Sequence, residues 1–289
     1  ATAVELMNAV GYDAVTLGNH EFDYGFPQLK ANLSYSAADF LVTCVNLVDD
    51  KGAPIFAPGA TAPVTDADDN PLFNLTVMGV ATPETQTKAN PALIQGLTFL
   101  GAEDMYAAAQ AQVDDLKARG ADAVICLAHL GVDSSSEPNT SYDLLKNVPD
   151  IDFVIDGHSH SVMQAGAAKL QTGVDKDGNP IYIDNPHYEL PIQSTGTKLA
   201  YVGVLIIDNK TKLPVGLGML DLGQYEYEDA KVTAAAKAIM EPIDAEYSAV
   251  FAKSEVELNG DKEPGNRTQE TNLGDLITDA MMWAIKTKA

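Results

Sequence analysis

The sequence predicts an α/β fold built on a largely parallel sheet. Helix-like and strand-like segments alternate over the first two thirds of its 289 residues. Several strand-like runs are continuously apolar and end abruptly in polar residues, as strands covered on both faces do. A hydrophobic fraction of 46% is enough to cover such a sheet from both sides.

Each element has a local reason. Residues 2–11 read as a helix with Val4, Met7 and Val10 on one side, leading into strand Asp13–Leu17. A helix near Gly25–Tyr35 leads into strand Phe40–Asn46. Residues 53–75 read as loops and a hairpin, turning at Asp66–Pro71. Strand Leu75–Val80 ends at Ala81-Thr-Pro-Glu-Thr85. Helices Ala102–Arg119 and Tyr142–Asn147 lead into strands Ala123–Ala128 and Phe153–Ile155. Residues 168–207 read as hairpins with a tight turn at Asp175–Pro180. That turn opens like a calcium loop, but Pro186 stands where such a loop needs a glutamate.

The texture changes after residue 222. Residues 228–252 are Ala-rich and helical, with Pro242 expected to kink or restart the helix. A short strand, Ser254–Leu258, and a helix, Asn272–Lys286, follow. Leu273, Leu276, Ile277, Met281 and Ile285 fall on one face of that helix, which asks for a partner surface.

Charge excludes some functions. With 41 acidic against 18 basic residues the net charge is −23, which repels a nucleic-acid backbone. An anionic substrate therefore needs local positive charge. No apolar run approaches the ~18–20 residues of a membrane-spanning helix. Cys44 and Cys126 both lie in apolar strand-like runs and read as buried, inert thiols. The first residues carry no initiator Met and no signal-like segment, and read as the middle of a helix, so the chain is expected to be an excerpt.

Chemistry concentrates in the histidines. Of five, His20, His129, His158 and His160 each follow a predicted strand, and His187 is expected on the surface. Any one of them alone is more simply a core or surface histidine. Together they fall where open α/β sheets bind ligands, beyond the carboxyl ends of the strands. On extended backbone, His158 and His160 would share a face ~6–7 Å apart, suiting two metals better than one. Asn19 adds an amide oxygen, and mixed N/O donors suit Mn, Zn, Co or Fe. No acidic residue nearby is an obvious bridging carboxylate. Asp23, three residues after His20, either orients that imidazole or caps the next helix.

The blocks Gly18-Asn19-His20-Glu21-Phe22-Asp23, Leu127-Ala-His129-Leu-Gly131 and Asp156-Gly-His158-Ser-His160, in this order, resemble the calcineurin-like metallophosphoesterases. The likeness is greatest to the secreted 5′-nucleotidase branch, which includes UDP-sugar hydrolases and 2′,3′-cyclic-nucleotide phosphodiesterases. Gly79-Val-Ala-Thr-Pro-Glu-Thr85 and Arg267-Thr-Gln-Glu-Thr-Asn-Leu-Gly-Asp275 extend it over nearly the whole chain.

The resemblance implies a four-layer αββα core over 1–222, a linker helix over 223–252 and the start of a substrate domain over 253–289. It implies that Asn19, His129 and His158 bind one divalent metal of Mn, Zn or Co type and His160 a second. His20 would be the catalytic histidine, with Asp23 as its partner. The implied reaction is hydrolysis of a nucleotide phosphoester by metal-activated water attacking phosphorus in line. A cyclic nucleotide, a nucleotide sugar, a related ester, or a non-catalytic binding role on the same fold are the alternatives. Two further ligand blocks, Asp-x-His and Gly-Asp, would precede Ala1, and the substrate-gripping residues would lie beyond residue 289. Such enzymes work outside the cytoplasm, in the periplasm or at the cell surface.

Overall fold

The computed structural model describes residues 2–288. It divides into two compact units, Ala1–Ala236 and Lys237–Ala289. The first contains helices α1 (Thr2–Val10), α2 (Phe26–Tyr35), α3 (Thr85–Lys88), α4 (Ala102–Ala118) and α5 (Ser141–Asn147). Its strands are β1 (Ala14–Val15), β2 (Leu41–Val42), β3 (Leu47–Asp49), β4 (Gly59–Thr65), β5 (Pro71–Ala81), β6 (Leu97–Phe99) and β7 (Ala123–His129). They continue with β8 (Phe153–Asp156), β9 (Val162–Met163), β10 (Lys169–Val174), β11 (Pro180–Asp184), β12 (Ile192–Thr195), β13 (Tyr201–Ile207) and β14 (Pro214–Asp221). Helix α6 (Ala230–Tyr247) runs across the division, and α7 (Asn272–Lys288) lies in the second unit.

The main sheet has 8 strands in the order β11-β10-β9-β12-β8-β7-β5-β4. Its centre is parallel: β5 pairs with β7, β7 with β8, and β8 with β12. Antiparallel pairs flank it on both sides. The sheet is thus mixed, with the predicted parallel part at its core.

Alternation along β5 separates the two faces. Met78 and Val80 join Val124, Cys126 and Ala128 of β7 in a cluster covered by Met105, Ala109, Val113 and Leu116 of α4 and Leu144 and Leu145 of α5. On the other face Ala81 packs with Leu17, Phe22, Cys44, Leu47 and Phe99, and with Leu29 of α2. Strands β1 and β2 pair in parallel within this second layer. Helix, large sheet, small sheet and helix thus follow one another.

Gly79 lets the layers meet. A Cβ at this position would stand 2.1 Å from the Thr43 carbonyl oxygen and 2.7 Å from Thr16 Oγ1. The Val45 amide donates to the Gly79 carbonyl at 2.8 Å, which fixes the crossing. Asn46 ties the exit of β5: its amide donates to the carbonyls of Ala81 and Leu100, and its Oδ1 accepts from the Ala81 amide. This buried side chain satisfies its polar atoms where β5 delivers the next loop.

Asp156 ties a second exit, two strands from β5. It ends β8, is buried, and its Oδ1 accepts from the amides of Leu130 and Gly131, both at 3.2 Å. The carboxylate therefore joins the exits of β7 and β8. Burial pushes its pKa up to about 6, against the lowering effect of those amides.

Several expectations are corrected. The run 168–207 is not all hairpins, because Ile192–Thr195 joins the parallel core beside β8, where Ile192, Gln193 and Ser194 are buried. The last hairpin is β13–β14. Residues 254–258 form no strand: Ser254 Oγ accepts from the Val256 amide and donates to its carbonyl, bending the chain locally. Helix α6 passes through Pro242 without restarting, since the exposed Ala238 carbonyl that Pro242 leaves unpaired can be solvated. His187 is half-buried, edge-on to Tyr142 at 4.9 Å. Asp175 Oδ1 accepts from the amides of Asp177 and Asn179, closing the β10–β11 turn as a hairpin. Cys44 and Cys126 are buried free thiols, and burial pushes the pKa of both up. Leu276, Ile277, Met281 and Ile285 of α7 are exposed.

Two predictions follow from this packing. Gly79→Ala should destabilise the first unit by ~1–3 kcal/mol or more, because the added methyl meets backbone and cannot be relieved by a rotamer change. Urea unfolding followed by circular dichroism measures it, and a midpoint equal to the parent's would contradict the crossing at Thr43. For Asp156, the raised folded pKa gives stability that is present below the unfolded value and lost as pH rises through about 6. Asp156→Asn keeps the accepting oxygen and removes this loss. The stability difference between variant and parent should therefore grow by on the order of 3 kcal/mol between pH 4 and pH 7. A difference independent of pH would contradict it.

Candidate active site

Three parallel strands release their chains on one edge. Ala81 at the end of β5 pairs with His129 at the end of β7, and β8 ends one short step away at Asp156. Glu84, His129 and the His158–His160 segment leave from this edge. The β1 strand delivers the fourth group, through a tight turn over Asn19–Phe22.

Phe22 anchors that turn. It is fully buried and meets Phe99 edge to face at 5.0 Å. The Gly18 amide donates to Glu21 Oε2 at 2.6 Å. Gly18 also allows a close approach: a Cβ there would stand 2.9 Å from His129 Cε1 and 2.8 Å from Glu21 Oε2. With the turn pinned from below, Asn19, His20 and Asp23 stand at the cleft.

A cleft of about 380 Å³ is lined by Asn19, His20, Asp23, Lys88, Ala89, His129, His158 and His160. All six residues singled out in the sequence therefore line one space. His20 Nδ1 donates to Asp23 Oδ2 at 2.9 Å, with both side chains more than half exposed. His129 Nε2 lies 3.1 Å from Asn19 Oδ1. A proton on Nε2 makes this a hydrogen bond, and a proton on Nδ1 turns both lone pairs to one point. The His129 and His158 rings sit 5.0 Å apart. Burial first, then the neighbouring His158, His160 and His20, push the His129 pKa down to about 4. It is therefore neutral at pH 7, with a lone pair to offer.

The expected geometry of His158 and His160 is corrected. Neither is extended: their φ angles are 79° and 57°. The Ser159 amide turns back to the Gly157 carbonyl at 3.1 Å. Two non-glycine residues held at positive φ in one short loop are strained, and the packing around them holds the strain in place.

Glu84 and Lys88 carry roles that the sequence did not reveal. Glu84 Oε2 accepts from His158 Nε2 at 2.8 Å and from Lys88 Nζ at 2.5 Å, and Oε1 accepts from Ser136 Oγ at 3.0 Å. Burial opposes its ionisation, but these donors outweigh that and hold its pKa below the usual carboxylate range. The available signal was topological: Glu84 follows β5 as His158 follows β8.

The donor set suits a divalent cation in part. Neutral imidazole and amide oxygen match a borderline first-row ion, and His129 stands beside both Asn19 and His158. Among the described residues, no three His, Cys, Asp or Glu side chains converge as a complete metal-holding group. The carboxylate bonded to His158, Glu84, is also engaged with Lys88 and Ser136.

Comparison with known proteins places the chain. No protein-family model matches it. The trifunctional nucleotide phosphoesterase protein YfkN of Bacillus subtilis (strain 168) is 32% identical over 184 residues, 60% of this chain and 12% of that protein. The crystal structure of calcineurin-like phosphoesterase YfkN superposes with a TM-score of 0.66 at 23% identity, covering 85% of this chain and 74% of that one, and so shares its fold. A 5′-nucleotidase of Diplobatis ommata is 28% identical over 285 residues, 98% of this chain and 47% of that protein. A 2′,3′-cyclic-nucleotide 2′-phosphodiesterase/3′-nucleotidase of Haemophilus influenzae is 28% identical over 268 residues, 89% of this chain and 36% of that protein. The chain thus spans less than half the length of these curated relatives. Sequence and fold together make it a homologue of the 5′-nucleotidases, the 2′,3′-cyclic-nucleotide phosphodiesterase/3′-nucleotidases and calcineurin-like phosphoesterase YfkN.

Proposed function

We propose that the chain carries part of the active site of a divalent-metal phosphoester hydrolase acting on nucleotides, in the manner of a 5′-nucleotidase. One observation carries the reading: an amide and four imidazoles from three strand ends line one cleft. In this reading Asn19, His129 and His158 hold one metal and His160 contributes to a second. Bound divalent ions would supply positive charge to the phosphoryl oxygens and lower the pKa of water.

The chain's own groups do the rest. Asp23 accepts a hydrogen bond from His20 Nδ1–H and fixes the ring's orientation. His20 Nε2 is then the nitrogen left to meet the substrate, giving a proton to the leaving oxygen or a hydrogen bond to the charged phosphoryl group. Glu84 accepts a hydrogen bond from His158 Nε2–H and fixes that ring. In this reading the catalytic domain spans 1–222, with 223–252 as linker and 253–289 opening a substrate domain.

A second reading, hydrolysis of 2′,3′-cyclic nucleotides, is favoured by the Haemophilus relative's name. Substrate choice separates the two. A protein that contains residues 1–289 together with the Asp-x-His and Gly-Asp ligand blocks should hydrolyse AMP with Mn²⁺ or a similar ion and stop when a chelator is added, whereas residues 1–289 alone should hydrolyse it negligibly. Turnover of 2′,3′-cyclic AMP with AMP untouched would favour the second reading. Failure on both with metal supplied would contradict a phosphoester hydrolase.

His20→Ala in that protein should lower kcat by ~10²–10⁴ and leave the metal content nearly unchanged. Asp23→Asn should cost less, because the imidazole stays in place. Metal analysis beside the kinetics decides the roles: metal lost with His20 would make it a ligand and not a proton donor.

A further inference from the structure

We propose that Lys88 anchors the phosphate of the substrate, tethered at the cleft by Glu84, and that it favours phosphomonoesters over phosphodiesters. This rests on the phosphoester reading of the same cleft. The chain carries a net charge of −23, so an anionic substrate meets a repulsive field unless the site offers positive charge. Lys88 is the one Lys or Arg side chain among the described residues lining the cleft.

An i,i+4 Glu–Lys pair is commonly a surface ornament of small effect. This one differs in its carboxylate. The Glu84 side chain is only 17% exposed, while that of Lys88 is 58% exposed. Glu84 is held from behind by Ser136 Oγ and shares Oε2 between Lys88 and His158. The ammonium is therefore fixed relative to His158, in the wall that also carries His129 and His160. An ammonium has three N–H donors. One serves Glu84, and the solvent-facing side of the group leaves the others open to phosphate oxygens.

This arrangement also sorts substrates by charge. A phosphomonoester is largely a dianion near neutral pH and a phosphodiester is a monoanion. A fixed cation gains more from the first. Lys88 would thus act in binding, contacting non-reacting phosphoryl oxygens, while His20 serves the leaving oxygen.

Isothermal titration of the chelator-treated protein with inorganic phosphate at low ionic strength tests the proposal directly. Lys88→Met should weaken phosphate binding by about tenfold or more, the scale of a lost charge-assisted hydrogen bond. Lys88→Arg, which keeps the charge, should retain most of it. In turnover, Lys88→Met should raise KM for an aryl phosphomonoester far more than for the matching diester, with kcat changed little. Phosphate binding equal in parent and Lys88→Met would overturn the proposal, as would no binding by the parent or equal loss in Lys88→Arg. The two readings fail separately. Lys88-dependent phosphate binding without turnover would remove the hydrolase reading and keep the anchor. Metal-dependent turnover indifferent to Lys88 would do the reverse.

Discussion

Parallel pairing of β5, β7 and β8 is the constraint on which the site depends. Ala81 faces His129 in the ladder, and β8 ends beside them at Asp156. Three chains therefore leave the sheet at one level. Each exit is locked by a buried polar side chain: Asn46 holds Ala81, and Asp156 holds Leu130 and Gly131. Without these locks the loops bearing Glu84, His129 and His158 would be free to diverge. The side chains sit in loops, but the ladder sets their starting points.

Electrostatics gives the cleft its character. Imidazoles crowded together and partly buried resist protonation, which is why His129 stays neutral far below pH 7. His20 is the contrasting case, exposed and tied to a carboxylate. His129 is thus kept as a lone-pair donor, while His20 has its Nδ1 engaged by Asp23. Glu84 adds a fixed negative charge that both His158 and Lys88 share.

Much of the fold was legible because buried parallel strands are long, apolar and sharply bounded. The Ala123–His129 run and helix Ala102–Ala118 appear almost as the sequence predicts. Ile192–Thr195 was misread because a four-residue strand among hairpins carries no periodic signal of its own, and only its neighbour β8 makes it parallel. Ser254–Leu258 had strand-like composition but no partner strand to fix it. In the site, the histidine strings were visible as ligand types after strands. The positive φ of His158 and His160 was not, since it comes from the packing of the loop and not from residue preference. Glu84 was visible as a residue but not as a partner, because 74 positions separate it from His158 in the chain.

The central claim is that Asn19, His129 and His158 form one donor set. Imidazole ¹⁵N resonances of the five histidines, followed while Zn²⁺ is added, test it most directly. The account predicts that His129 and His158 shift first and together, and that His187, which stands apart against Tyr142 and Lys146, stays still. A titration that moves His187 first, or leaves His129 and His158 unchanged at saturating Zn²⁺, would contradict it.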